Sequence, residues 1–279
     1  AFLLNFRNGD ILLTNCHTLI LRTLLDHAPV PPTEEQDLYL YNIAPDNLPL
    51  TDGFRSRDTH RFEPPPGALE YYPKLIWVKC HLIVDNFCHY GAISKPAESL
   101  AITEKAGYTY KRGADIVPLF IEYAGEMNVP LGESDALYLA HTMVEIAVDY
   151  AISQDDRTVP TIIRRARKTC ELELIEEYEG ALAALYGRKS AEIAATNGAA
   201  EKFYGDVDNI DFMYLDGRTR IVLRKLKLPF SDENVARTRQ LILDSAEKVS
   251  DYPDFIRDSV ELFTDRAAWA GAGAITGAA

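Results

Sequence analysis

Residues 74–92 read Lys-Leu-Ile-Trp-Val-Lys-Cys-His-Leu-Ile-Val-Asp-Asn-Phe-Cys-His-Tyr-Gly-Ala. The apolar character of this stretch predicts a long, largely buried helix. His81, Asp85 and His89 follow one another at steps of four residues. Each such step turns a helix by about 40°, so the three side chains share a stripe about 80° wide and project side by side.

This triplet is too rare to be a chance arrangement. With 6 histidines and 42 acidic residues in 279 positions, a His-x3-acid-x3-His pattern is expected roughly 0.02 times. Two imidazoles and a carboxylate on one face suit zinc or a similar divalent ion. Because the neighbouring residues are apolar, the face points into the protein, where a cation compensates the buried carboxylate. The sequence therefore predicts a metal site on this helix.

The remaining hydrophobic pattern is also mostly helical and predicts an all-α, multi-helix globular fold. A content of 47% hydrophobic and 25% charged residues is typical of a globular protein with a full-sized core. We expect one all-α metal-binding domain over 1–268, with a Gly/Ala-rich tail over 269–279. The predicted helices cover about 12–27, 33–43, 74–92, 135–153, 159–205 as one or two charged helices, 232–249 and 253–268.

Local signals predict where several of these elements begin or are interrupted. Thr33 and Gln36 have the spacing of a capping box, and Ser134 is a candidate N-cap. The proline-rich segment 44–67 predicts a long ordered loop or a pair of turns, of the kind that often carries function. Residues 212–223 allow either a small hairpin that turns at Asp-Gly or a helix with a break at the glycine.

Charge and apolar run length restrict the partners and the location. A net charge of −13 disfavours duplex nucleic acid and anionic membrane surfaces as partners. The sequence contains no apolar run long enough for a transmembrane segment, and Ala1–Arg7 lacks the layout of a signal peptide. Four cysteines predict free thiols in a reducing compartment. We therefore expect a cytoplasmic protein, and nothing in the sequence specifies its oligomeric state.

Other histidines and acids can extend the predicted site. His141 and Glu145 repeat the four-residue spacing on a later helix, and Asp46 and His60 lie in the proline-rich segment. His17 lies on the first helix. Residues at loops and helix ends commonly complete a multinuclear metal site that begins on helices.

The order of these residues resembles the zinc-dependent phospholipase C and single-strand nuclease superfamily, whose members are all-helical phosphodiesterases with a trinuclear zinc centre. The resemblance spans residues 17–145 and rests on ligand order and spacing. It implies three zinc sites, made by Asp46, His60, His81 and Asp85, by Asp85 with His17, and by His89, His141 and Glu145.

The resemblance implies a zinc-dependent phosphoester hydrolase in which clustered ions activate water, with Asp46 also orienting that water as the catalytic residue. A small phosphoester or a lipid head group is the expected substrate. Two ions rather than three, or another divalent metal, remain open. The competing hypothesis is a non-catalytic helical protein with a structural metal and a protein-interaction role, although eight candidate ligands exceed one closed tetrahedral site. A third hypothesis retains the fold with a degenerated centre.

Overall fold

Helices make up the secondary structure of the computed structural model, which describes residues 13–264 apart from 30, 52, 61–66, 92–106 and 205–211. No strand occurs in these ranges, so the predicted all-α class is confirmed. The predicted tail over 269–279 lies outside the described residues. The helices are α1 (Thr14–Leu24), α2 (Asp37–Asn42), α3 (Ala44–Asn47), α4 (Ser56–His60), α5 (Ala68–Tyr71), α6 (Ile76–Tyr90), α7 (Tyr108–Glu126), α8 (Glu133–Asp155), α9 (Val159–Thr169), α10 (Leu172–Tyr186), α11 (Ser190–Tyr204), α12 (Gly217–Lys225), α13 (Asp232–Lys248) and α14 (Tyr252–Thr264).

The two helices that carry most candidate ligands are buried in the core. Helix α6 follows a 3-10 turn over Pro73–Leu75 and ends at Gly91, whose φ of 69° places it in the left-handed region that favours glycine. Helix α8 is buried along most of its length and packs against α7 and α13. At Gly113 of α7, an added Cβ would lie 3.2 Å from the backbone nitrogen of His141. The glycine therefore lets α7 approach α8 closely at a candidate ligand.

Helix α1 is capped by an aspartate from a distant part of the chain. Its N-cap residue, Leu13, offers no side-chain acceptor. Instead, Oδ1 of Asp149 on α8 accepts hydrogen bonds from the backbone N–H groups of Asn15, at 2.9 Å, and Cys16, at 3.2 Å. The other carboxylate oxygen accepts from Nη2 of Arg218 on α12, at 3.3 Å. This network fixes the start of α1, which carries His17, against α8.

The structure corrects the prediction for residues 33–67. The predicted capping box is wrong, because Thr33 begins a 3-10 turn and α2 begins only at Asp37. The predicted loop over 44–67 contains α3 and α4. Pro45 did not prevent helix formation, since it occupies the first turn of α3, where its missing N–H would have no helical partner in any case.

Further corrections concern the second half of the chain. Helix α8 has Gly132 as its N-cap, so Ser134 lies inside the helix instead of capping it. The stretch 159–205 contains three helices rather than one or two. The hairpin predicted over 212–223 is wrong, because a π-helical turn over Phe212–Asp216 leads directly into α12. The alternative, a helix through these residues, agrees with this arrangement, but at Gly217 the helix changes from π to α instead of breaking.

Candidate metal centre

Three short-range distances define one group of candidate ligands at the junction of α3, α4 and α6. Nε2 of His60 lies 3.2 Å from Oδ1 of Asp46 and 3.2 Å from Nε2 of His81. Nε2 of His81 lies 3.8 Å from the same Asp46 oxygen. Bonds of about 2.0–2.1 Å to a tetrahedral zinc ion place neighbouring ligand atoms about 3.3 Å apart. The three atoms are therefore spaced as one face of such a site.

His17 joins these three residues from α1, and together the four form what we call the first group. Its imidazole stacks on that of His81, with ring centroids 3.7 Å apart and planes 21° from parallel. One ligand atom each from His17, Asp46 and His81 all lie within 4.8 Å of one another, and all three residues are buried. Among the described residues, Nδ1 of His17 and Oδ2 of Asp46 have no hydrogen-bond partner. Two buried polar atoms are thus left for another ligand.

The second group consists of His89 from α6 with His141 and Glu145 from α8. Nε2 of His89 lies 2.6 Å from Oε1 of Glu145, and Nε2 of His141 lies 4.0 Å from the same oxygen. One ligand atom from each residue can lie within 4.8 Å of the others. The His-x3-Glu spacing brings His141 and Glu145 to the same face of α8, and the end of α6 brings His89 to them.

Asp85 links the two groups. Its carboxylate lies 3.2 Å from Nδ1 of His89 in the second group. Although burial opposes ionisation, the charge and hydrogen bond of His89 and the charge of His60 hold the pKa of Asp85 well below its usual range. The charge of Asp85 in turn favours protonation of His17. A single carboxylate therefore interacts electrostatically with both groups.

One histidine in each group is oriented in the same way. Nδ1 of His60 lies 2.9 Å from the backbone carbonyl oxygen of Ser56, and Nδ1 of His89 lies 2.9 Å from that of Asp85. In both cases Nδ1–H donates to the residue four positions earlier. The other nitrogen, Nε2, then points to the cluster, as in metal-binding histidines that a backbone carbonyl holds in one tautomer.

Burial leaves three of the imidazoles neutral. It lowers the pKa of His17 to about 3 and that of His141 to about 4, and it lowers the pKa of His81 as well. Neutral imidazole is the form that binds metal ions. The other two imidazoles behave differently. Burial opposes protonation of His60, but its hydrogen bond to Asp46 and the charges of Asp85 and Asp46 raise its pKa to about 9. Contacts with Asp85 and Glu145 likewise raise the pKa of His89.

The cysteines beside the candidate ligands belong to the core. Cys16, Cys80 and Cys88 are fully buried free thiols, and burial raises the pKa of each. Among the described residues, no cysteine belongs to either group of candidate ligand atoms. These side chains pack as small apolar groups, in agreement with their positions beside the ligands rather than on the ligand face.

All eight candidate residues thus lie in the two groups or at Asp85 between them. One grouping differs from the resemblance, since His17 lies with Asp46 and His81 instead of forming a separate site. The sequence analysis did not identify two aromatic neighbours of His141. Tyr110 stacks on its imidazole at 4.7 Å and 11°, and the ring of Tyr138 lies at 4.9 Å. Only Tyr138 gave a local signal, because it precedes His141 by three positions on α8.

Comparison with known proteins does not identify the function of this site. No protein-family model, curated protein or solved structure matches the chain. Among the described residues, no helix combines the length and the apolar character needed to cross a membrane.

Proposed function

We propose that the chain is a metal-dependent phosphoester hydrolase whose centre holds two or three zinc ions or other divalent ions. The observation that carries the proposal is the presence of two groups of candidate ligands among the described residues, with the carboxylate of Asp85 in contact with His89 of the second group and electrostatically coupled to the first. A structural metal site is closed and needs four ligands. Two groups of candidate ligands with a further carboxylate near them are instead typical of multinuclear hydrolytic centres.

The donor set fits divalent cations. Asp46, His60 and His81 already have the spacing of ligands to a small cation. Three carboxylates in and between the groups supply negative charge, while His17 and Asp46 each offer a buried atom without a partner among the described residues. An ion-pair network without metal would leave those two atoms unsatisfied at a cost of about 1–3 kcal/mol each. Cation binding removes that cost.

Zinc bound here would stabilise the negative charge of a phosphoester and increase the acidity of water in the site. Asp46 is suited to orient that water and to accept its proton through a carboxylate oxygen that does not bind a cation. Burial raises the pKa of Asp46 to about 6, against the hydrogen bond and charge of His60, which lower it. A bound cation would lower that pKa and keep Asp46 ionised, which is the form that accepts a proton. We expect Asp46→Asn to lower kcat by about 100- to 10,000-fold.

Metal stoichiometry tests the proposal directly. Protein purified without added metal should contain two or three zinc ions per chain by elemental analysis. His81→Ala and Glu145→Ala should each reduce that number, because they remove a ligand from different groups. His27→Ala is the matched control, since His27 pairs with Tyr39 and Glu35 outside both groups, and it should retain all of the zinc.

The outcomes separate the competing hypotheses. If the ions are present, hydrolysis of bis-p-nitrophenyl phosphate and phosphatidylcholine micelles should fall by more than about 100-fold in His81→Ala and Glu145→Ala. One ion that is lost only in His81→Ala would favour a structural site instead. Absence of any bound metal in the wild-type protein would overturn the proposal.

A further inference from the structure

A lysine borders the second group, on an element that the ligand pattern does not include. Lys225 is at the end of α12, and its Nζ lies 3.4 Å from Oγ1 of Thr142 and 5.7 Å from the ring centroid of Tyr138. Tyr138 is half-exposed and its ring contacts His141. The ammonium group therefore lies near a candidate ligand, beside the solvent-exposed ring of Tyr138.

The charge of this lysine acts on the second group. Burial is the main cause of the lowered pKa of His141, and the positive charge of Lys225 lowers it further. Apart from Arg218, which is buried and pairs with Asp149, helix α12 carries three basic side chains and no acidic one over Gly217–Lys225, in a chain whose net charge is −13. The acidic protein thus presents a local positive charge next to the candidate metal centre.

We propose that Lys225 binds the phosphate group of the substrate at the second group, and that Tyr138 and Thr142 position its ammonium. This inference rests on the proposed function. An ammonium is a compact charge that binds phosphate oxygens well, and the Tyr138 ring and the Thr142 hydroxyl contact it. Lys225 then favours anionic phosphoesters over uncharged esters, because only a negative group gains from the lysine.

Inorganic phosphate is the simplest probe of this site. Calorimetric titration of the zinc-loaded protein with phosphate should give at least about tenfold weaker binding for Lys225→Gln than for wild type, since a charge-assisted hydrogen bond is lost. Lys225→Arg retains the charge and should bind phosphate within about threefold of wild type. Lys168→Gln, at an exposed position on α9, makes the same charge change and should leave phosphate binding unaltered.

Zinc content separates failure of this inference from failure of the proposed function. If wild type and Lys225→Gln contain the same zinc and bind phosphate equally, the inference is overturned and the metal centre stands. If wild-type protein takes up no zinc, the proposed function fails and the inference fails with it.

The source of the phosphate group is distinguished in two further assays. If the substrate is a soluble phosphoester, Lys225→Gln should raise the KM for p-nitrophenyl phosphate. If the substrate is a lipid head group, the same variant should raise the KM for phosphatidylcholine micelles. A KM unchanged in both assays would contradict phosphate binding by Lys225.

Discussion

Replacement of Arg218 by methionine should lower the free energy of unfolding by about 3–5 kcal/mol, because it leaves a buried carboxylate without its cation. Arg218 is 1% exposed and Asp149 is fully buried. The pair joins α12 to α8, and through Asn15 and Cys16 it reaches the start of α1. Methionine fills much of the space of the arginine stem, so the loss reports mainly on the cost of keeping the Asp149 carboxylate ionised. Burial already raises the pKa of Asp149 to about 7, although the charge of Arg218 lowers it, so part of the loss is the uptake of a proton by Asp149.

The size of the effect makes it easy to measure. A cooperative chain of 279 residues has an unfolding entropy of about 0.6 kcal/mol/K, so a loss of 4 kcal/mol lowers Tm by about 7 °C. Urea denaturation followed by the helical circular dichroism signal gives the free energy itself. Arg220→Met is the matched control on α12, because Arg220 is exposed, and it should change stability by less than about 0.5 kcal/mol.

A double-mutant cycle identifies the cause. Asp149→Leu should also destabilise strongly, since it removes the carboxylate that accepts from Arg218 and from two backbone N–H groups of α1. The double variant Asp149→Leu with Arg218→Met should lose at least about 1 kcal/mol less than the sum of the single losses. A loss below 1 kcal/mol for Arg218→Met, or strict additivity in the cycle, would refute the argument that this pair is a coupled buried network.

Three further predictions follow from the candidate centre and its surroundings. Zinc affinity at the first group should rise about tenfold from pH 7 to pH 8, because His60, with a pKa of about 9, must lose a proton to bind metal. Competition with a chelator measures this affinity, and an affinity that does not change with pH would contradict the prediction. Removal of zinc by a chelator should lower Tm by about 5 °C for one site filled at 100 times its Kd, as measured by thermal unfolding. Gly107→Ala should destabilise by about 1–3 kcal/mol, since its Cβ would lie 2.2 Å from the Cys88 carbonyl oxygen. Gly125→Ala, with open space at its Cβ, should be neutral or stabilising in the same thermal unfolding experiment.

Short-range periodicity allowed part of the arrangement to be predicted from the sequence. The four-residue steps His81, Asp85, His89 and His141, Glu145 place their side chains on single helix faces, and the helices that carry them are present. The convergence of α6 and α8 depends on packing that no local spacing encodes. The sequence therefore predicted the members of the candidate centre better than the way they divide into groups, as the position of His17 shows.

The elements that were missed have identifiable physical causes. No helix was predicted over 108–126, and α7 contains Pro118 in its interior, a residue that local analysis takes as a helix end. The sequence did not predict that Arg218 is buried, because an arginine among other basic residues normally lies on a solvated helix face. Its burial depends on Asp149, which lies 69 positions earlier in the chain.

The repeated orientation of histidines argues that the two groups are built as ligand sets. His60 and His89 come from different helices, yet each donates Nδ1–H to the backbone carbonyl four positions earlier and directs Nε2 at a carboxylate. Without metal, that arrangement requires a buried imidazolium in each group. A divalent cation bound at Nε2 would take the place of the proton, and it would give the neutral imidazoles of His17, His81 and His141 a partner as well. At the second group, the 2.6 Å between Nε2 of His89 and Oε1 of Glu145 would have to widen to about 3.3 Å. One cation per group can therefore bind several of the imidazole nitrogens and carboxylates at once, whereas a proton on His60 or His89 joins only one imidazole to one carboxylate.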